Sequence, residues 1–165
     1  MDEKHADLKK KIDALADTVK FPLTKIYTVD GSKRSSHSNA YFYGFFKNKR
    51  IVLFDTLLKQ VTDSELVAIL GHELGHWKMG HTIQMLVIGQ IHLFISFFAF
   101  GFVLSQKDLY LAFGFSETPT LIGLFLFFST IWAPIEKFLG FILTLLTRHN
   151  EFEADAFAHK LGRGK

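Results

Sequence analysis

The sequence predicts an α+β fold that is mainly helical, with a small antiparallel β-sheet or hairpin, a metal-binding helix and two transmembrane helices. Three observations carry this. Residues 82–105 contain no Asp, Glu, Lys or Arg, and at about 1.5 Å per residue such a helix is roughly 36 Å long, enough to cross a hydrocarbon core. A second apolar run, residues 120–147, is interrupted only by Pro134, Glu136 and Lys137. Ahead of both, short β-prone runs lie between two stretches of helical periodicity.

Taken in order, residues 2–20 place Leu8, Ile12, Leu15, Ala16 and Val19 at helical spacing among lysines and aspartates, the pattern of an amphipathic surface helix. After Phe21-Pro22 the runs 25–29, 40–46 and 50–54 read as strands, the last two flanking a turn at Lys47-Asn48-Lys49. Residues 30–36 are a polar loop. Thr62 and Glu65 form a Thr-x-x-Glu capping box that starts the next helix, and Gly80 marks its end. The organisation expected is residues 1–81 (helix, sheet and metal-binding helix), 82–147 (two membrane-spanning helices) and 148–165 (a helix with a further ligand).

Composition narrows the class. Almost half the residues are hydrophobic and 19 are Phe. The alternative to membrane spans is a pair of wholly buried helices in a soluble bundle, which the length of the first run disfavours. Gln84, Gln90, His92, Glu136 and Lys137 belong on faces turned to protein or water, because polar groups facing lipid are costly. Pro134 kinks such a helix without ending it. The net charge of +3 comes with no long basic stripe, so no nucleic-acid partner is expected. The lack of cysteine rules out disulfides and thiolate metal sites. The polar start Met1-Asp2-Glu3-Lys4-His5 carries no signal-peptide pattern.

The chemistry is concentrated in His72-Glu73-Leu74-Gly75-His76. Histidines four apart share one helix face and can bind one zinc ion, leaving Glu73 to act as base on a water at that ion. The bland reading, two surface histidines, is weakened by a third element. Catalytic zinc normally has three protein ligands, and Glu151-Phe152-Glu153-Ala154-Asp155 supplies candidates. Glu151 and Asp155 share a helix face, whereas Glu153 lies about 200° round from Glu151. Glu151 is therefore the third ligand, and Asp155 accepts the second ring N–H of a zinc-bound histidine. One Zn2+ per chain is expected. His81, close to the same face, could help line the site, and His92 reads as a helix-packing histidine. His5, His149 and His159 read as solvated.

If the chain crosses the membrane after His76 and returns before Glu151, both segments end on one side. The loop 106–119 has one lysine, whereas Lys47, Lys49, Arg50, Lys59, Lys78, Arg148, Lys160 and Arg163 lie on the zinc side. By the positive-inside tendency the site is expected to face the cytosol or to be embedded just below its surface.

With these motifs in order, the chain resembles the type I CAAX prenyl proteases, integral-membrane zinc metalloproteases. The resemblance rests on Arg34-Ser35-Ser36-His37-Ser38-Asn39-Ala40-Tyr41-Phe42-Tyr43-Gly44-Phe45, on Lys49-Arg50-Ile51-Val52-Leu53-Phe54-Asp55-Thr56-Leu57, on Leu70-Gly71-His72-Glu73-Leu74-Gly75-His76-Trp77-Lys78 and on Glu151-Phe152-Glu153-Ala154-Asp155-Ala156-Phe157-Ala158. It implies zinc ligation by His72, His76 and Glu151, with Glu73 as base. It also implies an edge strand at Asn39-Ala40-Tyr41 along which substrate backbone aligns; from the residues alone, Asn39 serves equally as a turn or strand-entry residue. The implied substrates are isoprenylated CAAX peptides and proteins, which lose their last three residues. The implied location is the endoplasmic reticulum and inner nuclear membranes, in contact with lipid, with the site on the cytosolic or nucleoplasmic side. Family members have further membrane helices and a C-terminal segment, so the resemblance reads the chain as a catalytic-region portion.

Two other readings stand beside this one: a membrane-protein quality-control zinc protease with the same motifs, and a non-catalytic zinc-binding membrane fragment. An intact Glu73 disfavours the latter, because a structural site needs no general base. The sequence leaves the oligomeric state, the individual substrates and the preference between farnesyl and geranylgeranyl open.

Overall fold

The computed structural model describes residues 6–30, 40–44 and 48–162. The chain forms two compact units, Met1–Gly80 with Asn150–Lys165, and His81–His149.

The first unit opens with α1 (Ala6–Val19), whose buried residues Leu8, Ile12, Leu15, Ala16 and Val19 are those of the periodic stripe. Lys20 adopts a positive φ of 58° and ends the helix. Strands β1 (Leu23–Val29), β2 (Ala40–Tyr43) and β3 (Lys49–Phe54) follow. Their order in the sheet is β1-β3-β2. β2 pairs with β3 antiparallel, as the turn signal predicts, with Tyr43 opposite Arg50. β1 instead joins β3 in parallel, with Ile26 opposite Ile51, so the sheet is mixed and not purely antiparallel. The reason lies in β3. Ile51, Val52 and Leu53 are all buried, a continuous apolar run suited to a central strand covered on both faces.

A short helix α2 (Asp55–Gln60) leads to α3 (Asp63–Met79). Thr62 caps α3 through the expected box: its hydroxyl accepts from the Glu65 N–H, and the Glu65 carboxylate accepts from the Thr62 N–H at 2.7 Å. These bonds hold the Glu65 carboxyl below its ordinary pKa, the backbone N–H being the larger cause. At the far end Gly80 takes the left-handed conformation, φ 75°, which a residue with a side chain rarely adopts. Leu66, Val67, Leu70 and Leu74 form the buried face of α3 and pack with α1 and the sheet in one core. Phe21 joins them, edge-on to both Phe42 and Trp77.

The second unit contains α4 (His81–Leu104), α5 (Lys107–Ala112), α6 (Thr120–Leu126), a π-helical stretch Phe127–Ile131 and the first part of α7 (Trp132–Lys160). Two helices, His81–Leu104 and Thr120–Lys160, are long and apolar enough to cross a membrane. Phe94 and Phe98 are 71% and 72% exposed and Leu121 is 81% exposed, so these are not the core helices of a soluble bundle built from this chain. Lipid is the solvent that suits such faces.

Pro134 does not end the helix. Proline lacks an N–H and crowds the carbonyl four residues back. The chain widens into the π turn just before it, and the Ser129 and Thr130 hydroxyls donate to the carbonyls of Phe125 and Leu126.

Candidate metal centre

α3 and the last turns of α7 lie in the same unit. His72 and His76, one turn apart on α3, bring their Nε2 atoms to 3.1 Å. Glu151 on α7 places Oε2 at 3.4 Å from His72 Nε2 and Oε1 at 3.6 Å from His76 Nε2. Among the described residues these three form a cluster able to hold a metal ion, with one ligand atom from each lying within 4.8 Å of the others.

The donor set fits a small tetrahedral ion. Ligand bonds of about 2.0–2.1 Å at tetrahedral angles separate ligand atoms by roughly 3.3 Å, near the 3.1 Å between the two imidazole nitrogens, while Glu151 presents one carboxylate oxygen to each imidazole, at 3.4 and 3.6 Å. Two imidazole nitrogens and a carboxylate oxygen leave a fourth position free of protein ligands, as a hydrolytic centre requires.

Asp155 completes the arrangement from the side away from the cluster. Its Oδ1 lies 2.8 Å from His72 Nδ1, across 83 residues of sequence. With the Nδ1 proton donated to that carboxylate, the Nε2 lone pair faces His76 and Glu151. An open groove of about 670 Å3, lined by Ala68, Ile69, Ala156 and His159, reaches this pair from outside. Glu73 follows His72 on α3 and is half-buried.

Of the residues expected from sequence, His72, His76, Glu151 and Asp155 converge. Glu153 is exposed and outside the cluster, as its angular offset requires. Ala40 and Tyr41 lie in β2, Ala40 buried and Tyr41 exposed; Asn39, like His5, falls outside the described residues. β2 is an edge strand among the described residues, paired only with β3. His81, half expected near the site, is buried at the start of α4 and belongs to the other unit. His92 lies within α4, 3.0 Å from Glu136, in keeping with a packing histidine.

Sequence reasoning passed over Gly75 and Ala154. Both are buried, and a Cβ placed on Gly75 would lie 3.1 Å from the Cα of Ala154. The available signal was a small residue beside the ligands on each helix.

Comparison with known proteins agrees with this geometry. The sequence profile described as Peptidase family M48 matches residues 2–165. The chain is 46% identical to a human protein named CAAX prenyl protease 1 homolog over 196 aligned residues, covering 96% of this chain and 41% of the relative. It is 52% identical to the Arabidopsis thaliana protein of the same name, covering 96% and 38%. The crystal structure of S. mikatae Ste24p superposes with a TM-score of 0.77 at 44% identity, covering 95% of this chain and 39% of that one. The chain thus spans about two-fifths of the length of these relatives. On the profile match over nearly its whole length, the chain belongs to peptidase family M48.

Proposed function

We propose that this chain is the catalytic portion of a membrane zinc metalloendopeptidase that removes the last three residues of isoprenylated CAAX proteins. The observation that carries the reading is the His72, His76 and Glu151 cluster with Glu73 one residue from a ligand. The names of the relatives, CAAX prenyl proteases, supply the substrate class.

The roles of the residues follow from their chemistry. Zinc, when bound, supplies a Lewis acid that polarises the scissile carbonyl. His72, His76 and Glu151 hold it, and Asp155 keeps His72 in the tautomer that ligates. Glu73 takes the proton of the attacking water and passes it to the leaving amine. The edge of β2 at Ala40 and Tyr41, unpaired among the described residues, offers main-chain groups to an extended peptide, a mode tolerant of side-chain sequence. The apolar helices embed the chain in lipid of the endoplasmic reticulum and inner nuclear membranes, with the site toward the cytosol or nucleoplasm.

The test is cleavage of a farnesylated CAAX peptide and its unprenylated counterpart, using wild-type protein and Glu73→Gln in lipid. The expected result is release of the C-terminal tripeptide from the farnesylated peptide by wild type alone, with equal zinc content in both proteins. Equal rates for Glu73→Gln would remove Glu73 from its role. Equal rates on the two peptides would favour the quality-control reading instead.

A further inference from the structure

The third ligand comes from a helix far away in sequence, so something must set how close that helix approaches. Around α7, the residues buried in the first unit are Asn150, Ala154 and Ala158, one turn apart. Glu151 and Asp155 each follow one of them, about 100° further round. α7 therefore meets the unit along the face of Asn150, Ala154 and Ala158, with Phe157 packed beside them, and small Ala154 lies where the helix comes closest to Gly75.

The partner on α3 is Gly75, which precedes the ligand His76. An added Cβ there would meet the Ala154 Cα at 3.1 Å, the Ala154 carbonyl oxygen at 3.2 Å and Phe157 Cδ1 at 3.3 Å. The first two are backbone atoms of a helix and cannot rotate aside. Any side chain at Gly75 must push this turn of α7 outward by a few tenths of an ångström. Metal sites tolerate about 0.2 Å in ligand distance, so such a push is large on the scale that matters.

We infer that Gly75 and Ala154 form a spacer that sets the separation of α3 and α7, and through it the distance of Glu151 from His72 and His76. Both are positioning residues, acting through Glu151. The inference rests on the metal assignment above and adds the element that fixes its dimensions. Glycine inside a helix weakens that helix, so Gly75 works against the stability of α3 and in favour of the site.

The experiment compares wild type with Gly75→Ala, Gly75→Val and Ala154→Val in detergent or lipid. Zinc affinity is read by competition with a chromophoric chelator, ligand geometry by the visible spectrum of the cobalt-substituted protein, and metal-free folding by circular dichroism and thermal melting. Gly75→Ala is expected to lower zinc affinity about tenfold, in the range seen when groups orienting ligands are lost, and to alter the cobalt spectrum. Its metal-free melt should stay near that of wild type, the helix preference of Ala over Gly offsetting part of the overpacking against Ala154. The two valine variants should lose more affinity, each from its own helix. Wild-type affinity and spectrum in Gly75→Ala and Gly75→Val would overturn the spacer, as would an affinity loss matched by loss of the metal-free fold. If wild type binds zinc no better than a His72→Ala control, the metal assignment falls and the spacer with it.

Discussion

His72 Nδ1 and Asp155 Oδ1 lie 2.8 Å apart, which sets a carboxylate of α7 within hydrogen-bond reach of an imidazole on α3. The Asp155 side chain is 70% exposed, so its value is in direction and tautomer more than in net charge attraction. Asp155→Ala should weaken zinc binding about 10- to 100-fold while leaving Glu151 and both imidazoles in place. Zinc competition titrations check this, and unchanged affinity would show that the ring is held by other means.

Loss of a ligand should act differently. Glu151→Ala leaves two imidazoles, too few for a stable hydrolytic centre. Metal analysis after dialysis should find one zinc in wild type and almost none in Glu151→Ala. Chelation should lower the melting temperature of wild type and leave that of the variant unmoved, since a ligand stabilises only the state that binds it.

The capping box of α3 makes a prediction in pH. The Glu65 carboxyl is held below its ordinary pKa by the Thr62 N–H and then by the Thr62 hydroxyl. A depressed carboxyl stabilises the fold above its unfolded pKa, and that contribution is lost as pH falls through the folded one. Thermal melts between pH 7 and pH 3 should therefore fall less steeply for Glu65→Gln than for wild type, the difference arising below about pH 4.5. Thr62→Ala should cost about 1 kcal/mol at neutral pH, the usual effect of losing an N-cap.

Within the second unit, His92 Nε2 sits 3.0 Å from Glu136 Oε2, without the alignment of a regular hydrogen bond, and the Trp132 indole N–H donates to that same oxygen at 3.0 Å. Replacing Glu136 leaves His92 and the Trp132 N–H without their acceptor, and replacing His92 leaves the Glu136 carboxylate with the Trp132 N–H alone. His92→Leu and Glu136→Leu should each destabilise the protein in detergent, and the double variant should do so by less than the sum. The coupling expected is about 1 kcal/mol, in keeping with partly exposed groups and with interhelical polar pairs in membranes. Additive losses would mean that the two side chains do not interact.

Tyr110 is buried, and among the described residues its hydroxyl has no hydrogen-bond partner. It packs where a Cβ on Gly123 would fall. Gly123→Ala should therefore destabilise the second unit by about 1–3 kcal/mol, the usual cost of overpacking. Tyr110→Phe should preserve or raise stability, because an unpaired buried hydroxyl is itself unfavourable. Melting curves of the two single variants and their combination check both, with partial relief expected in the double variant.

Much of this was legible in residues whose signal is local. Thr62 and Glu65 announced the start of α3, Gly80 its end, and the i, i+4 spacing of His72 and His76 their common face. Helical phase alone separated Glu151 from Glu153. The sheet was read less well. Turn residues at 47–49 indicate a hairpin, but nothing local to residues 23–29 says that β1 will lie parallel to β3. The run Ile51-Val52-Leu53 did carry the hint of a central strand. Pro134 marked a perturbation, but not that a π turn would absorb it.

The sequence by itself determined the donor types at His72, His76 and Glu151, the carboxylate of Glu73 beside them and the apolar length of the two long helices, because each depends on side-chain chemistry and on the fixed rise and phase of a helix. Only the tertiary structure decided how near Glu151 comes to the two imidazoles and which ring nitrogen Asp155 holds. Those distances belong to two helices packed at a point of close approach, and packing is a property of surfaces that spacing along one chain does not encode. Gly75 has no side chain to signal a role; its part becomes visible only when Ala154 lies against it.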